Sequence, residues 1–385
     1  MRGRRLAAYG IGAIALLLLA GAGWLFSLPP AQRGETLSPT SPEEMAAVVA
    51  ALKPPKRTRP VVAIIGANDG TEATDYLMPY GILRRADVAE IVALAMREGP
   101  VALYPALTVE PQATVEAFDQ EYPDGADYLI VPAMRRDDDP TVLRWIRAQA
   151  GKGAIVVGVC AGAKVVANAG LLDGKRATTH WYYVDEMRKE HPLIRYVPDT
   201  RYVVDKGVVT STGISASMPL SLVLIEAMAG REKAQEVAED LGVRNWDARH
   251  DSSAFRFTRP FAWTAIRNRL AFWTHERLGM KLVPGVDEVA LALVADAWSR
   301  TYRSRVLMIG DAAGAVRSRN GLSVYADRAA KDWDGTVWSM PAGQTPTAAL
   351  EQALRGISGR YGKATADFVA MQLEYSGQGE GEAAQ

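Results

Sequence analysis

The chain has one cysteine, Cys160, and four histidines, His180, His191, His250 and His275, in 385 residues. A single cysteine excludes an intramolecular disulfide and any multi-cysteine metal centre. The histidines show no i,i+4 pairing, so no metal site and no cofactor is expected. An excess of charge is also missing: Lys+Arg and Asp+Glu each total 44. No basic stripe and no aromatic-interleaved basic patch runs along the sequence, so nucleic acid is not an expected partner. What is abundant is ordinary core material, 48% hydrophobic with 23% charged. At this length it suffices for two domains, or for one domain with a sizeable appendage.

A long apolar run occurs only at the start. Arg2, Arg4 and Arg5 precede the stretch 6–28, which is uncharged and long enough to cross a bilayer as a helix. Basic residues on its amino side predict a cytoplasmic N-terminus and an extracytoplasmic remainder, periplasmic if bacterial. The alternative is a cleaved signal peptide, since Ala20-Gly21-Ala22 is a small-residue triplet. Apolar character continues past it through Trp24, Leu25 and Phe26, which favours a single-pass membrane anchor over residues 1–30. Residues 31–60 then read as a Pro-rich linker, with Ser41-Pro42-Glu43-Glu44 starting a short helix through Leu52.

The stretch 154–170, AIVVGVCAGAKVVANAG, organises the rest. A strand-like run leads to Cys160, a helical pattern follows, and Gly170 is a natural left-handed stop. The cysteine sits in Gly158-Val159-Cys160-Ala161-Gly162. A nucleophile elbow turns so sharply that side chains two before and two after the nucleophile collide, and glycine at both places removes the collision. Cys160 is then presented at a helix N-terminus, where the dipole and free N–H groups favour a thiolate and can hold an oxyanion. The competing reading is a small buried hydrophobe.

In chain order, residues 61–241 alternate strands and helices: a buried-type strand over 61–65, a helix over 71–86 with Pro79 inside, short apolar runs at 91–94 and 128–131, a helix over 140–150, the elbow, and a hairpin around Asp205-Lys206-Gly207. Helices over 220–228 and 232–241 close the unit. That alternation predicts a parallel sheet covered on both faces. Residues 242–280 read as a helical connector. Residues 281–375 repeat the start of the first unit at a shift of about 215. Gly70-Thr71-Glu72 matches Gly285-Val286-Asp287, Val109 falls on Val324, and Asp127 and Pro132 fall near Asp334 and Pro341. The copy has no elbow. It ends in helix-like segments over 348–357 and 365–375 and a polar tail, 376–385. It is a degenerate half-repeat, expected to pack on the first unit or to pair with another chain, a homodimer being possible.

The elbow, continuing through Ala169-Gly170-Leu171-Leu172-Asp173-Gly174 to Thr178-Thr179-His180-Trp181, resembles the class I glutamine-amidotransferase-like ThiJ/PfpI superfamily. It is most similar to the branch found in front of AraC-type regulators. Asp75-Tyr76-Leu77-Met78-Pro79-Tyr80 resembles the acidic-x-x-x-Pro helix of that branch, and Ser211-Thr212-Gly213-Ile214-Ser215-Ala216 its T-x-x-G-x-S-A segment. The resemblance implies a flavodoxin-like α/β sheet sandwiched by helices, with the partial second repeat added. It also implies a carboxylate near the cysteine, which by motif position is Asp75. Departures are clear. Ala161 stands where proteases and deglycases of the superfamily often carry His, Val131-Pro132-Ala133-Met134 replaces a Gly-Gly oxyanion segment, Pro219 stands where the related branch has aspartate, and no helix-turn-helix module follows.

The expected chemistry is a cysteine nucleophile, Cys160, with Asp75 moving the proton and His180 within reach as a third catalytic candidate. Ala161, Gly162, Ala133 and Met134 are the expected oxyanion or pocket residues, and Gly158 and Gly162 set the elbow. Asp75 as a helix N-terminal acid and His180 as a structural histidine are the alternatives. A small electrophilic molecule is the expected substrate, in a hydrolase, hydratase or lyase reaction. The alternatives are a ligand- or redox-sensing module, or a remnant whose pocket is filled.

Overall fold

The computed structural model describes residues 16–17, 19–31, 40–340 and 343–377. The strand Val61–Gly66 is buried along its whole length. Its side chains divide between two cores, Val62 and Ile64 in one, Val61, Ala63 and Ile65 in the other. A strand apolar on both faces belongs inside a parallel sheet with helices above and below. Among the described residues the sheet has seven strands, in the order Tyr202–Asp205, Val208–Ser211, Ile155–Gly158, Tyr128–Val131, Val61–Gly66, Glu90–Ala95 and Ala113–Thr114. Every neighbour pair is parallel except the hairpin of the first two. Helices Val115–Glu121, Pro140–Gly151 and Gly162–Asn168 cover one face, and Ala73–Ala86 and Ser217–Ala229 the other. This is the expected flavodoxin-like α/β sandwich.

A second parallel sheet is built from Arg328–Ala329, Ser304–Gly310, Glu276–Lys281 and Val337–Trp338, with the helix Glu288–Ser299 packed on it. It starts at Glu276, inside the stretch expected to be connector. Strand Glu276–Lys281, helix Glu288–Ser299 and strand Ser304–Gly310 follow Val61–Gly66, Ala73–Ala86 and Glu90–Ala95 at the repeat shift of about 215.

The second unit packs on the first through elements at matching positions. Strand Ser323–Tyr325 pairs antiparallel with Thr108–Glu110, and Val324 lies opposite Val109, its own counterpart. Helix Glu288–Ser299 lies against Ala73–Ala86 so closely that a Cβ on Gly81 would stand 2.5 Å from Glu288 Oε1 and 2.6 Å from Val289 Cγ2. Tyr76, Tyr80, Leu291 and Leu293 share one hydrophobic core. Residue i meets j while the counterpart of j meets that of i, the arrangement of a two-fold interface within one chain. The helices Pro346–Tyr361 and Lys363–Gln372 then carry the chain back to the first unit.

The N-terminal expectation is corrected. Residues 19–27 are helical, but among the described residues no helix is long and apolar enough to cross a membrane, which takes about 20 apolar residues. The expected span over 6–28, and the membrane contact and extracytoplasmic placement that rested on it, therefore lack their helix; residues 1–15 and 18 lie outside the described residues. The C-terminal part of the linker is pinned to the sheet. Ser41 caps the helix Pro42–Ala51, Tyr128 donates to Leu52 O at 2.5 Å, and Arg57 donates to Asp127 Oδ2 at 2.7 Å. Residues 32–39, Pro341 and 378–385 also lie outside the described residues.

Candidate active site

Cys160 follows the strand Ile155–Gly158 with φ +56°. A non-glycine residue holds that left-handed conformation only where its surroundings enforce it. Here the Cys160 N–H donates to Ser211 Oγ at 3.1 Å, and its carbonyl accepts from Thr179 Oγ1 at 3.1 Å. The flanking glycines are sterically required. A Cβ on Gly162 would sit 2.0 Å from Val131 O, and one on Gly158 3.0 Å from Ala163 Cα. The helix Gly162–Asn168 starts directly after the turn. The cysteine is only 5% exposed.

Asp75 lies in the first turn of the helix Ala73–Ala86 and is fully buried. Glu72 caps that helix: its Oε2 accepts from Asp75 N–H and from Thr74 Oγ1, both at 2.7 Å. Asp75 Oδ2 accepts from Ala133 N–H at 3.0 Å, while Oδ1 is buried with no hydrogen-bond partner. The expected backbone donors divide accordingly. The Ala133 N–H is taken by Asp75 and the Gly162 N–H bonds Val159 O at 2.7 Å. Met134 is bridged to Thr71, and Ala161 stands half-buried at the turn.

The second unit supplies the cation of this site, a residue that sequence reasoning missed. Arg300, at the end of the helix Glu288–Ser299, donates to Glu72 Oε1 at 2.7 Å and to Asp296 Oδ2 at 2.6 Å. The signal was present in the repeat: Arg300 is the counterpart of Arg85, as Asp287 is of Glu72, and Arg85 pairs with Asp287. One guanidinium thus faces three buried carboxylates, and the balance tips toward protonation. Burial first, then the Glu72 charge, hold the Asp75 carboxyl well above the usual carboxylate range. Burial pushes Asp296 up to about 7 against the pull of Arg300. Burial first, then Asp75, Glu72 and Glu374, push the Cys160 thiol well up, while the Ala161 N–H works in the other direction. The thiolate expected from the helix N-terminus is therefore outweighed by desolvation and by like charge.

His180 is turned toward the C-terminal helix. Its Nε2 meets Gln372 O at 2.9 Å and its Nδ1 accepts from Tyr182 N–H at 3.2 Å, so both ring nitrogens are engaged away from the cysteine. Burial lowers its pKa to about 4. Beside it lies Glu374, a further buried acid, with no sequence signal. Its carboxylate accepts from Trp181 N–H at 2.6 Å and from Gly213 N–H at 2.7 Å, and stands 3.4 Å from His250 Nε2. Glu374 ties the end of the chain to both loops that buttress the elbow.

Residues 61–227 match the DJ-1/PfpI family. The HTH-type transcriptional regulator CdhR of Pseudomonas aeruginosa is 31% identical over 157 residues, 40% of this chain and 45% of that protein. Isonitrile hydratase of Pseudomonas putida is 40% identical over 101 residues, 26% of this chain and 42% of that protein. The chain thus spans less than half the length of these two relatives. The Parkinson disease protein 7 homolog of Danio rerio is 26% identical over 185 residues, covering 46% of this chain and 95% of that protein. Among solved structures, Drosophila melanogaster DJ-1beta aligns over 49% of this chain and all of its own, at 25% identity and a TM-score of 0.43. The matched region contains Asp75, Cys160 and the Ser211 that holds the elbow. Residues 61–227 of this chain are a domain of the DJ-1/PfpI family, within the ThiJ/PfpI superfamily.

Proposed function

We propose that the protein is a cysteine-dependent enzyme, of hydrolase, hydratase or lyase type, acting on a small electrophilic substrate through Cys160 assisted by Asp75. The observation that carries this reading is Asp75 Oδ1, a fully buried acid oxygen with no partner, on a carboxyl held toward its neutral form beside the only cysteine. Burial opposes two negative charges in one place, so thiol and carboxyl share a proton. As sulfur attacks the terminal carbon of an isonitrile, the S–C bond forms and Asp75 delivers the shared proton to that carbon, giving a thioimidate. Water then adds across its C=N bond, Asp75 passing the proton of water to nitrogen. The carbonyl forms as the hydroxyl proton returns to Asp75 and the C–S bond breaks, its electrons returning to sulfur. Arg300 keeps the cluster near neutrality, and the Ala161 N–H is the backbone donor at the turn. No step is assigned to His180, which serves the seam with the C-terminal helix.

The isonitrile hydratase relative makes an alkyl isonitrile the first substrate to assay, followed by a 2-oxoaldehyde and a primary amide. Turnover should fall by about a hundredfold or more in both Cys160→Ser and Asp75→Asn. Full turnover in Cys160→Ser sinks the proposal. A second reading, a non-catalytic redox- or ligand-sensing module, draws support from the 5% exposure of Cys160. Inactivity on every substrate class, with clean oxidation of Cys160 by mild peroxide seen by mass spectrometry, selects it.

A further inference from the structure

The second unit gathers cations with few counter-charges: Asp327 lies in the field of Arg305, and Glu276 in that of Arg303. Arg277 and Arg305 are register partners on neighbouring parallel strands. Both are exposed, and among the described residues neither makes an ion pair or side-chain hydrogen bond. Like charges side by side in a sheet are unfavourable without a counter-charge. Together with Arg269, Arg303 and His275 they line a cavity of about 360 Å³. Its only carboxylate, Glu276, is engaged by Arg360 and Tyr361. Arg303 Nε is buried without a hydrogen-bond partner, and the Arg303 and Arg269 guanidinium groups are steadied over the rings of Tyr361 and Tyr302, at 5.3 and 5.2 Å.

An apolar ridge adjoins this cavity. Trp263, Ile266 and Leu270 recur along the solvent side of the helix Arg259–Leu270, whose other side buries Phe261, Thr264 and Asn268. The ridge runs on into Phe272 and Trp273, 71% and 74% exposed. At the other end of the helix, Arg259 lies 5.3 Å over the Phe26 ring and donates to Pro29 O at 2.8 Å. The segment 19–29 is thereby held at the amino end of that helix.

We propose that this cavity and ridge bind an anionic phospholipid, the phosphate held by Arg277, Arg305 and Arg303 and the acyl part lying on Leu270, Phe272 and Trp273. Guanidinium forks match phosphate oxygens two at a time. A purely anionic ligand leaves the aromatic residues in water, and a purely apolar partner leaves the arginines uncompensated. A lipid surface with negative headgroups answers both. No membrane-crossing helix is involved, and the inference is independent of the chemistry at Cys160.

The test is co-flotation of the full chain with phosphatidylcholine vesicles, with and without phosphatidylglycerol. Anionic lipid should raise the bound fraction about tenfold or more, since each basic residue near such a surface contributes a several-fold factor. Arg277→Glu/Arg305→Glu should abolish that gain, Arg277→Gln/Arg305→Gln should reduce it, and Phe272→Ser/Trp273→Ser should lower binding to both vesicles. Thermal unfolding and Cys160 alkylation should be unchanged in all three. Four results overturn the proposal: wild-type binding indifferent to lipid charge; charge-reversed protein floating like wild type, so that another segment carries the binding; inorganic phosphate bound without any vesicle binding; or the aromatic variant only dissolving a dimer seen by light scattering.

Discussion

The two units share a strand–helix–strand frame and differ in the chemistry carried on it. In the first, Glu72 caps a helix that carries Asp75 and ends near Arg85; in the second, Asp287 caps a helix that carries Ala290 and is followed by Arg300. Each cap is bridged by the arginine of the other unit, Arg300 to Glu72 and Arg85 to Asp287. Only one of these crossed pairs faces the candidate site. Arg85 also meets Asp240, an exposed partner, whereas Arg300 also meets buried Asp296 and lies in the field of Cys160. The second unit has no counterpart of the acid or of the elbow, but it presents an arginine and a packing face. It holds what the first unit needs from a neighbour.

The comparison is broken most severely at Arg300. Arg300→Met leaves Glu72 and Asp296 buried and unpaired, which should cost about 3–5 kcal/mol in urea unfolding. It should also move the pH midpoint of Cys160 alkylation upward, because a cation that favours the thiolate is gone. Arg85→Met, the counterpart change, should cost about 1–3 kcal/mol and leave the alkylation profile in place. Equal shifts in both variants would show that the two bridges are chemically interchangeable. Gly81→Leu drives a side chain into Glu288 and Val289 and should cost about 1–3 kcal/mol with one cooperative transition, because the halves share a core. Two separate transitions would show that they unfold independently.

The smallest effect concerns Glu374. Burial raises it from the ordinary 4.5 to about 7. An acid raised on folding stabilises fully below 4.5, and that contribution is lost as the pH climbs through 7. Melting temperature should therefore decline across this window, and Glu374→Gln should flatten the decline, by an amount equivalent to about 1–2 kcal/mol. A slope identical in wild type and Glu374→Gln would remove Glu374 from the account.

Much of this was legible in the chain. The two-faced apolar strand at Val61 and the alternation after it announce a doubly covered parallel sheet, and Gly158 and Gly162 announce the turn at Cys160. The match of Glu72 to Asp287 aligns the two helix caps that the structure places at matching positions. Arg300 was hidden because a crossed bridge is a property of two packed helices, although carrying the repeat one helix further, to Arg85 and Arg300, would have exposed it. Glu374 could not be read at all, since it reaches Gly213 and Trp181 only after two helices return the chain to the elbow. The spacing also misled on charge: a helix N-terminus argues for a thiolate, and only burial beside Asp75 and Glu72 reverses the sign. Hydropathy at 6–28 argued for a span that the described residues do not contain.

The pH dependence of Cys160 alkylation, wild type against Asp75→Asn, addresses the shared proton most directly. The account predicts a wild-type midpoint well above that of an ordinary thiol, and a lower midpoint in Asp75→Asn because a neighbouring negative charge has been removed. An ordinary midpoint that is the same in both proteins would contradict it.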